Sequence, residues 1–199
     1  MRKLLIVLIW ALRVKEGLAQ TATVGQPLPP WTPGMLDIHQ ISTGRGNSVL
    51  LVLPDGTTLL VDAGAAGDGI PETDPHPDAS RTPGQWIARH LVRHGAAELD
   101  YALITHFHAD QMGQAQSSSP MDRTGAYKLF SITEVAETVP IHELLDRGWP
   151  DYAYPAPFRD ETMTRFQRFL AARKDRMPWS VSGLDRPGKS DFSVTLPSI

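Results

Sequence analysis

Cysteine is missing from all 199 residues. No disulfide framework, thiolate metal site or cysteine nucleophile is therefore open to this chain, and any metal must be held by nitrogen and oxygen. A dominant charge is missing too. Nineteen Lys and Arg against 22 Asp and Glu leave a net charge of −3, which predicts no strong attraction to nucleic acid or anionic lipid. There is no internal repeat or long low-complexity tract. The apolar stretch Leu4 to Leu12 is too short to span a bilayer comfortably. What remains is ordinary for a globular protein, with 41% hydrophobic and 21% charged residues. Its length suits one domain with a proper core rather than two.

The beginning of the chain reads as an export signal. Met1-Arg2-Lys3 is the positive start, Leu4 to Leu12 the apolar stretch, and Gly17-Leu18-Ala19 the small residues before a cut at Gln20. Residues 1–19 are thus expected to be a cleavable signal peptide, giving a periplasmic or secreted protein with no stable membrane anchor. Arg13, Lys15 and Glu16 charge the region before the cut, and an uncleaved anchor or a misassigned start is the alternative. Residues 20–34 are expected to be a Pro-rich linker, because the four prolines between Gln26 and Gly34 lack backbone donors and fix φ. The folded domain then covers 35–199.

From Met35 the pattern is a β-meander. Met35–Ile41 alternates, Ser48–Leu53 is nearly continuous apolar strand, and Asp55-Gly56 is the strongest hairpin signal before the return strand Thr57–Val61. Asp62 follows at the strand end with Ala63-Gly64 behind it; on its own it reads equally as a turn former. Residues 65–82 look like a loop. Pro83-Gly84-Gln85 opens a helix running to about Gly95, in which His90 and His94 stand four apart and could share a metal. Arg89 and Arg93 beside them favour a solvated basic face, and nothing supplies the Glu of a metalloprotease helix.

A short buried strand, Asp100 to Thr105, leads into Thr105-His106-Phe107-His108-Ala109-Asp110-Gln111-Met112-Gly113. Two histidines one residue apart and a carboxylate two further on can converge on one ion, since imidazole nitrogen and carboxylate oxygen are ligands that zinc and its neighbours accept. Past the C-terminal end of a strand is also where open α/β sheets usually hold their sites. The bland alternative is a polar loop that happens to hold two histidines. Downstream, Ser131-Ile132-Thr133-Glu134 has the spacing of a capping box. A helix from about Asp160 to Arg173 puts Met163, Phe166, Phe169 and Leu170 on one side. Arg165, Arg168, Arg173, Lys174 and Arg176 cover the other, as a solvated face rather than a phosphate-binding surface.

The His-x-His-x-Asp loop, together with Leu36-Asp37-Ile38-His39-Gln40-Ile41, Gly44-Arg45-Gly46-Asn47-Ser48 and Leu53 to Gly64, resembles the metallo-β-lactamase-fold hydrolases. Together these pieces look like the opening of the branch that includes the hydrolase-like domain of competence DNA-uptake proteins. The match in order and spacing covers about residues 35–113. Ile141 to Tyr152, with its Asp-Arg-Gly-Trp-Pro-Asp-Tyr run, resembles a stretch that follows the metal loop in some exported members.

The resemblance implies an α/β fold, an αββα sandwich, here entered through an N-terminal β-meander followed by helix, strand and metal loop. It implies His106, His108 and Asp110 as metal ligands, Asp110 as the group that orients water or takes its proton, and Asp62 as a brace beneath the His-bearing loop. The substrate would be a small molecule or phosphoester, with phosphoester cleavage favoured over lactam cleavage. Two departures count against full activity. Gln111 stands where the family carries another His, so one zinc or other divalent ion is expected rather than two. The family's later His and Asp ligands have no match either, His142 being the one histidine after His108. The chain is accordingly expected to be the first portion of such a domain, or a decayed homologue. A reading of a different class is a non-catalytic periplasmic interaction module presenting Trp149, Tyr152 and Tyr154, since aromatics are favoured at recognition surfaces. The oligomeric state is not indicated.

Overall fold

The computed structural model describes residues 23–44, 46–65, 74–150, 152–153, 157, 160–173 and 180–183. The expected signal peptide, Tyr154, Lys174 and Arg176 lie outside the described residues.

Six strands lie side by side in chain order: β1 (Asp37–Gln40), β2 (Val49–Val52), β3 (Thr58–Val61), β4 (Leu99–Ile104), β5 (Ile141–Asp146) and β6 (Ser180–Gly183). The first three pair antiparallel, as the alternation and turn chemistry predict. At the β2–β3 turn Leu53 N donates to Thr57 O at 2.8 Å, Asp55 Oδ1 accepts from Thr57 N at 2.9 Å, and Gly56 supplies a φ of 93°. From β3 onward all neighbours are parallel, so each join needs a crossover. Helices α1 (Pro83–Arg93), α3 (Ser131–Thr138) and α4 (Glu161–Arg173) make those crossovers, and α2 (Ala109–Met112) is a single turn directly after β4. Crossovers of one hand advancing in one direction put their helices on the same face. α1 accordingly packs on α3, and α4 reaches α3 through Arg173.

The helix starts follow local chemistry. Thr82 Oγ1 accepts from Gln85 N at 3.3 Å while Gln85 Oε1 accepts from Thr82 N at 3.2 Å, a reciprocal cap worth about 1 kcal/mol. At α3 the expected capping residue is displaced. Ser131 is already the first helical residue and its hydroxyl has no partner, while Thr133 Oγ1 accepts from Phe130 N at 2.8 Å. The Asp160 carboxylate accepts from Met163 N at 2.7 Å at the start of α4.

Leu50, Leu60, Ala102, Ile104 and Leu144 point at the helices and are fully buried, as are Ile87, Leu91, Phe166 and Phe169 on the helices. Truncating one of these leucines to alanine should cost about 2–5 kcal/mol. The opposite side of the sheet carries Leu51, Leu59, Val61 and Leu103, all partly exposed, and Ile38 at 64% exposure. The described residues thus make one sheet with helices on one face; the second sheet of the expected sandwich is not among them. No helix among the described residues is long and apolar enough to cross a membrane.

Two expected surfaces turn out differently. His90 and His94 do not form a solvated face: both are partly buried and turned toward His39 of β1. Arg89 stays outside, 6.0 Å from the Trp86 ring. On α4, Arg165 donates to Ala115 O at 2.9 Å, and Arg173 bonds Ala136 O at 3.2 Å and pairs with Glu137. These two arginines therefore tie α4 to its neighbours, and Arg168 alone of the described basic residues on that side is left exposed.

Candidate metal centre

The apolar strand β4 runs out at Ile104, and the polar residues that follow turn off the sheet. Thr105 is held there by Asp62 from the end of β3. Thr105 N donates to Asp62 Oδ1 at 2.8 Å, and Thr105 Oγ1 donates to Asp62 Oδ2 at 2.8 Å. Asp62 itself sits at φ 59°, a left-handed conformation that Asp and Asn tolerate better than other side chains. It is 3% exposed. Burial raises its carboxyl above the ordinary value, with the Thr105 amide, the Thr105 hydroxyl and His106 pulling the other way.

The brace extends one residue further. Thr105 Oγ1 lies 3.3 Å from His106 Nδ1. A hydroxyl has one proton, and here it is committed to Asp62. The oxygen can therefore only accept from the ring, which makes Nδ1 the protonated nitrogen and leaves the lone pair on Nε2. Orientation of a ligand histidine through its other nitrogen is a common feature of metal sites.

His106, His108 and Asp110 each offer a donor atom, and these atoms all lie within 4.8 Å of one another. The two imidazoles meet edge to face at 83°, with centroids 4.8 Å apart. His106 and Asp110 are partly buried and His108 is exposed, so the cluster is open to solvent on one side. Two nitrogens and one carboxylate oxygen suit zinc with an open fourth position. Gln111 is different. It is buried, and its Oε1 has no hydrogen-bond partner.

Two distant segments, joined to each other, clamp the loop by backbone bonds. Asn47 N donates to Asp110 O at 2.7 Å, Ala63 N to Gln111 O at 2.7 Å, Ala65 N to Ala109 O at 2.9 Å and Gly64 N to Asn47 O at 2.8 Å. The approach leaves no room for a side chain at Gly64. A Cβ there would lie 1.8 Å from Asp110 O and 2.8 Å from Asn47 N.

The aromatic run packs beside this loop rather than standing out from it. Asp146, fully buried at the end of β5, accepts from Gly148 N at 2.7 Å, Trp149 N at 2.8 Å and the Tyr152 hydroxyl at 2.7 Å. Burial raises both the Asp146 and the Tyr152 ionisations. Tyr152 lies 5.6 Å from the Phe107 ring and 6.4 Å from Phe166, and Trp149 packs on the core. Arg147 stacks over Phe107 at 5.3 Å. Asp146 was not legible as a loop organiser, since its partners become visible only once the loop has closed on it. His142 lies away from the centre, 3.1 Å from Glu98. A cavity of about 400 Å³ flanks the clamped loops, with Ala65, Gln114, Arg81 and Glu134 on its wall.

No curated protein matches the chain. The segment that contains the brace, the clamp and all three donors does have a counterpart: residues 41–117 match the family model of the metallo-beta-lactamase superfamily.

Proposed function

We infer that this chain is a metal-dependent hydrolase of the metallo-beta-lactamase type, acting on an ester or phosphoester. The observation that carries the reading is the convergence of His106, His108 and Asp110 within 4.8 Å, on a braced loop inside the family-matched segment. A divalent ion bound there would supply Lewis-acid polarisation and make water acidic enough to attack at neutral pH.

The protein's own residues do the rest. His106, His108 and one oxygen of Asp110 would hold the ion, with His106 aimed by Thr105 and Asp62. The other oxygen of the Asp110 carboxylate would orient the attacking water and take its proton, a general-base role open to a carboxylate. One ion is proposed at this loop rather than two, because the amide of Gln111 lacks the basicity of the imidazole expected there. The Leu36–Ser48 and Leu53–Gly64 motifs, which resemble the competence-protein branch, favour a phosphoester substrate. The apolar stretch after Met1-Arg2-Lys3 favours export.

The test is hydrolysis of bis(4-nitrophenyl) phosphate by the zinc-loaded protein, with bound zinc measured by elemental analysis. Turnover that disappears in His108→Ala, with parallel loss of zinc, supports the reading. Zinc-loaded protein with no turnover on phosphodiester, phosphomonoester or carboxylic ester substrates would overturn it.

A further inference from the structure

Away from the His106 loop, strand β1 and helix α1 bring three more histidines together. His39 lies on β1, whose outer edge has no strand partner among the described residues. His90 and His94 lie one turn apart at the end of α1, with Ile87 and Leu91 buried beside them. That register puts both imidazoles on the border between core and solvent, over β1. His39 Nδ1 is 3.1 Å from His90 Nε2. The ring centroids are 5.2 Å apart for His39 and His90, 4.9 Å for His39 and His94, and 4.3 Å for His90 and His94. One donor nitrogen from each lies within 4.8 Å of the others.

We propose that His39, His90 and His94 form a second metal site, a three-histidine zinc site that pins strand β1 to helix α1.

The geometry suits that ion. Zinc–nitrogen bonds of about 2.0–2.1 Å in a tetrahedron set ligand nitrogens roughly 3.3 Å apart, and the His39–His90 pair already stands close to that separation. Three imidazoles leave the fourth position for water. Nitrogen ligands without sulfur suit zinc and its late first-row neighbours rather than magnesium or calcium. Asp37 stands outside the cluster, beyond hydrogen-bond distance. Its Oδ2 is 3.9 Å from His39 Nε2, the ring nitrogen left over once Nδ1 binds metal, where a carboxylate is a common partner. Access exists as well: a cavity of about 470 Å³ opens beside the cluster, lined by Trp31, Asp37, His39, Thr58, Arg93 and His94.

The alternative is three neutral rings packed around one hydrogen bond. Burial depresses protonation of all three, His90 down to about 4. At most one proton sits between His39 Nδ1 and His90 Nε2, and its shift to the other nitrogen of its own ring leaves both facing nitrogens as lone-pair donors. Protons then compete weakly for those lone pairs at neutral pH.

The test is zinc stoichiometry of the full chain after equilibration with ZnCl₂ and dialysis. It uses His106→Ala/His108→Ala as background, so the outcome does not depend on the proposed hydrolase site. That protein should retain about one zinc per chain. Adding His94→Ala, at the partly exposed end of α1, should weaken retention by well over tenfold while leaving the far-UV circular dichroism unchanged. His90→Asn in the same background is read in its place should that helix end unravel. The zinc-induced rise in melting temperature should vanish with the same substitutions. A background protein that holds no zinc overturns the proposal, and so does zinc that persists through both His94→Ala and His90→Asn.

Discussion

Replacing Asp62 tests the brace beneath the metal loop, and three substitutions separate its parts. Asp62→Ala removes the acceptor for the Thr105 amide and both bonds to the Thr105 hydroxyl. It also leaves a Cβ at a φ of 59° with no polar side chain to favour it. Hydrogen bonds to a charged acceptor contribute about 1.5–3 kcal/mol each. The desolvation that raises the Asp62 carboxyl offsets part of this, leaving about 2–3 kcal/mol for the set. Left-handed backbone adds about 1 kcal/mol more for alanine. Asp62→Ala should therefore cost about 3–4 kcal/mol. Asp62→Asn keeps an oxygen for the Thr105 amide and tolerates the same backbone, so about 1 kcal/mol is expected. Asp62→Gly frees the backbone but loses the bonds, and should fall between the two. Urea unfolding followed by tryptophan fluorescence reads all three. At a slope of about 2 kcal/mol per molar, Asp62→Ala lowers the midpoint by roughly 1.5–2 M and Asp62→Asn by about 0.5 M. Equal midpoints for Asn and Ala would refute the argument, because the oxygen kept for the Thr105 amide and the tolerance of the left-handed backbone would then carry no stability. The same variants should lose zinc at the His106 loop by about 10–100-fold, as outer partners of metal ligands do.

Gly64→Ala drives a Cβ into the Asp110 backbone and should break the Asn47–Asp110 bond, costing more than about 3 kcal/mol; an unchanged urea midpoint would show that the two loops can part freely. Tyr152→Phe leaves one oxygen of the buried Asp146 without its hydroxyl donor and should cost about 1–3 kcal/mol, measured by thermal unfolding, with a negligible shift counting against the assignment. For Asp122, burial alone would raise the carboxyl, but the Thr124 hydroxyl and the Thr124, Tyr127 and Ala126 amides outweigh it and bring it down to about 2. Its contribution is therefore fully present above about pH 4 and lost as pH falls toward 2. Asp122→Ala should flatten stability in that window, and an identical acid-unfolding profile would contradict this.

Local signals carried the reading of the sequence a long way. Asp55-Gly56 imposes its turn whatever surrounds it, Thr82 and Gln85 start α1 by their own side chains, and the apolar spacing of Met163, Phe166 and Phe169 sets the buried side of α4. Contacts between distant segments were harder to read. His39 and His90 are 51 residues apart. A β-strand residue and a helix pair give no joint periodicity, so the basic neighbours Arg89 and Arg93 dominated the reading of that helix. Ser131 shows the opposite failure: the capping spacing was present, but Thr133 reached back to Phe130 and moved the start by one position. Gly64 reads in the sequence only as a small residue behind Asp62, whereas its size matters because another loop crosses it.

The crossing of Asn47, Gly64 and Asp110 means that the loop carrying His106 and His108 has no independent shape. Its backbone is fixed by the turn before β2 and by the end of β3, both far upstream in the chain. The ion affinity proposed for this loop is therefore a gauge of how well the whole meander is formed, and damage to a strand that touches no ligand should register there first.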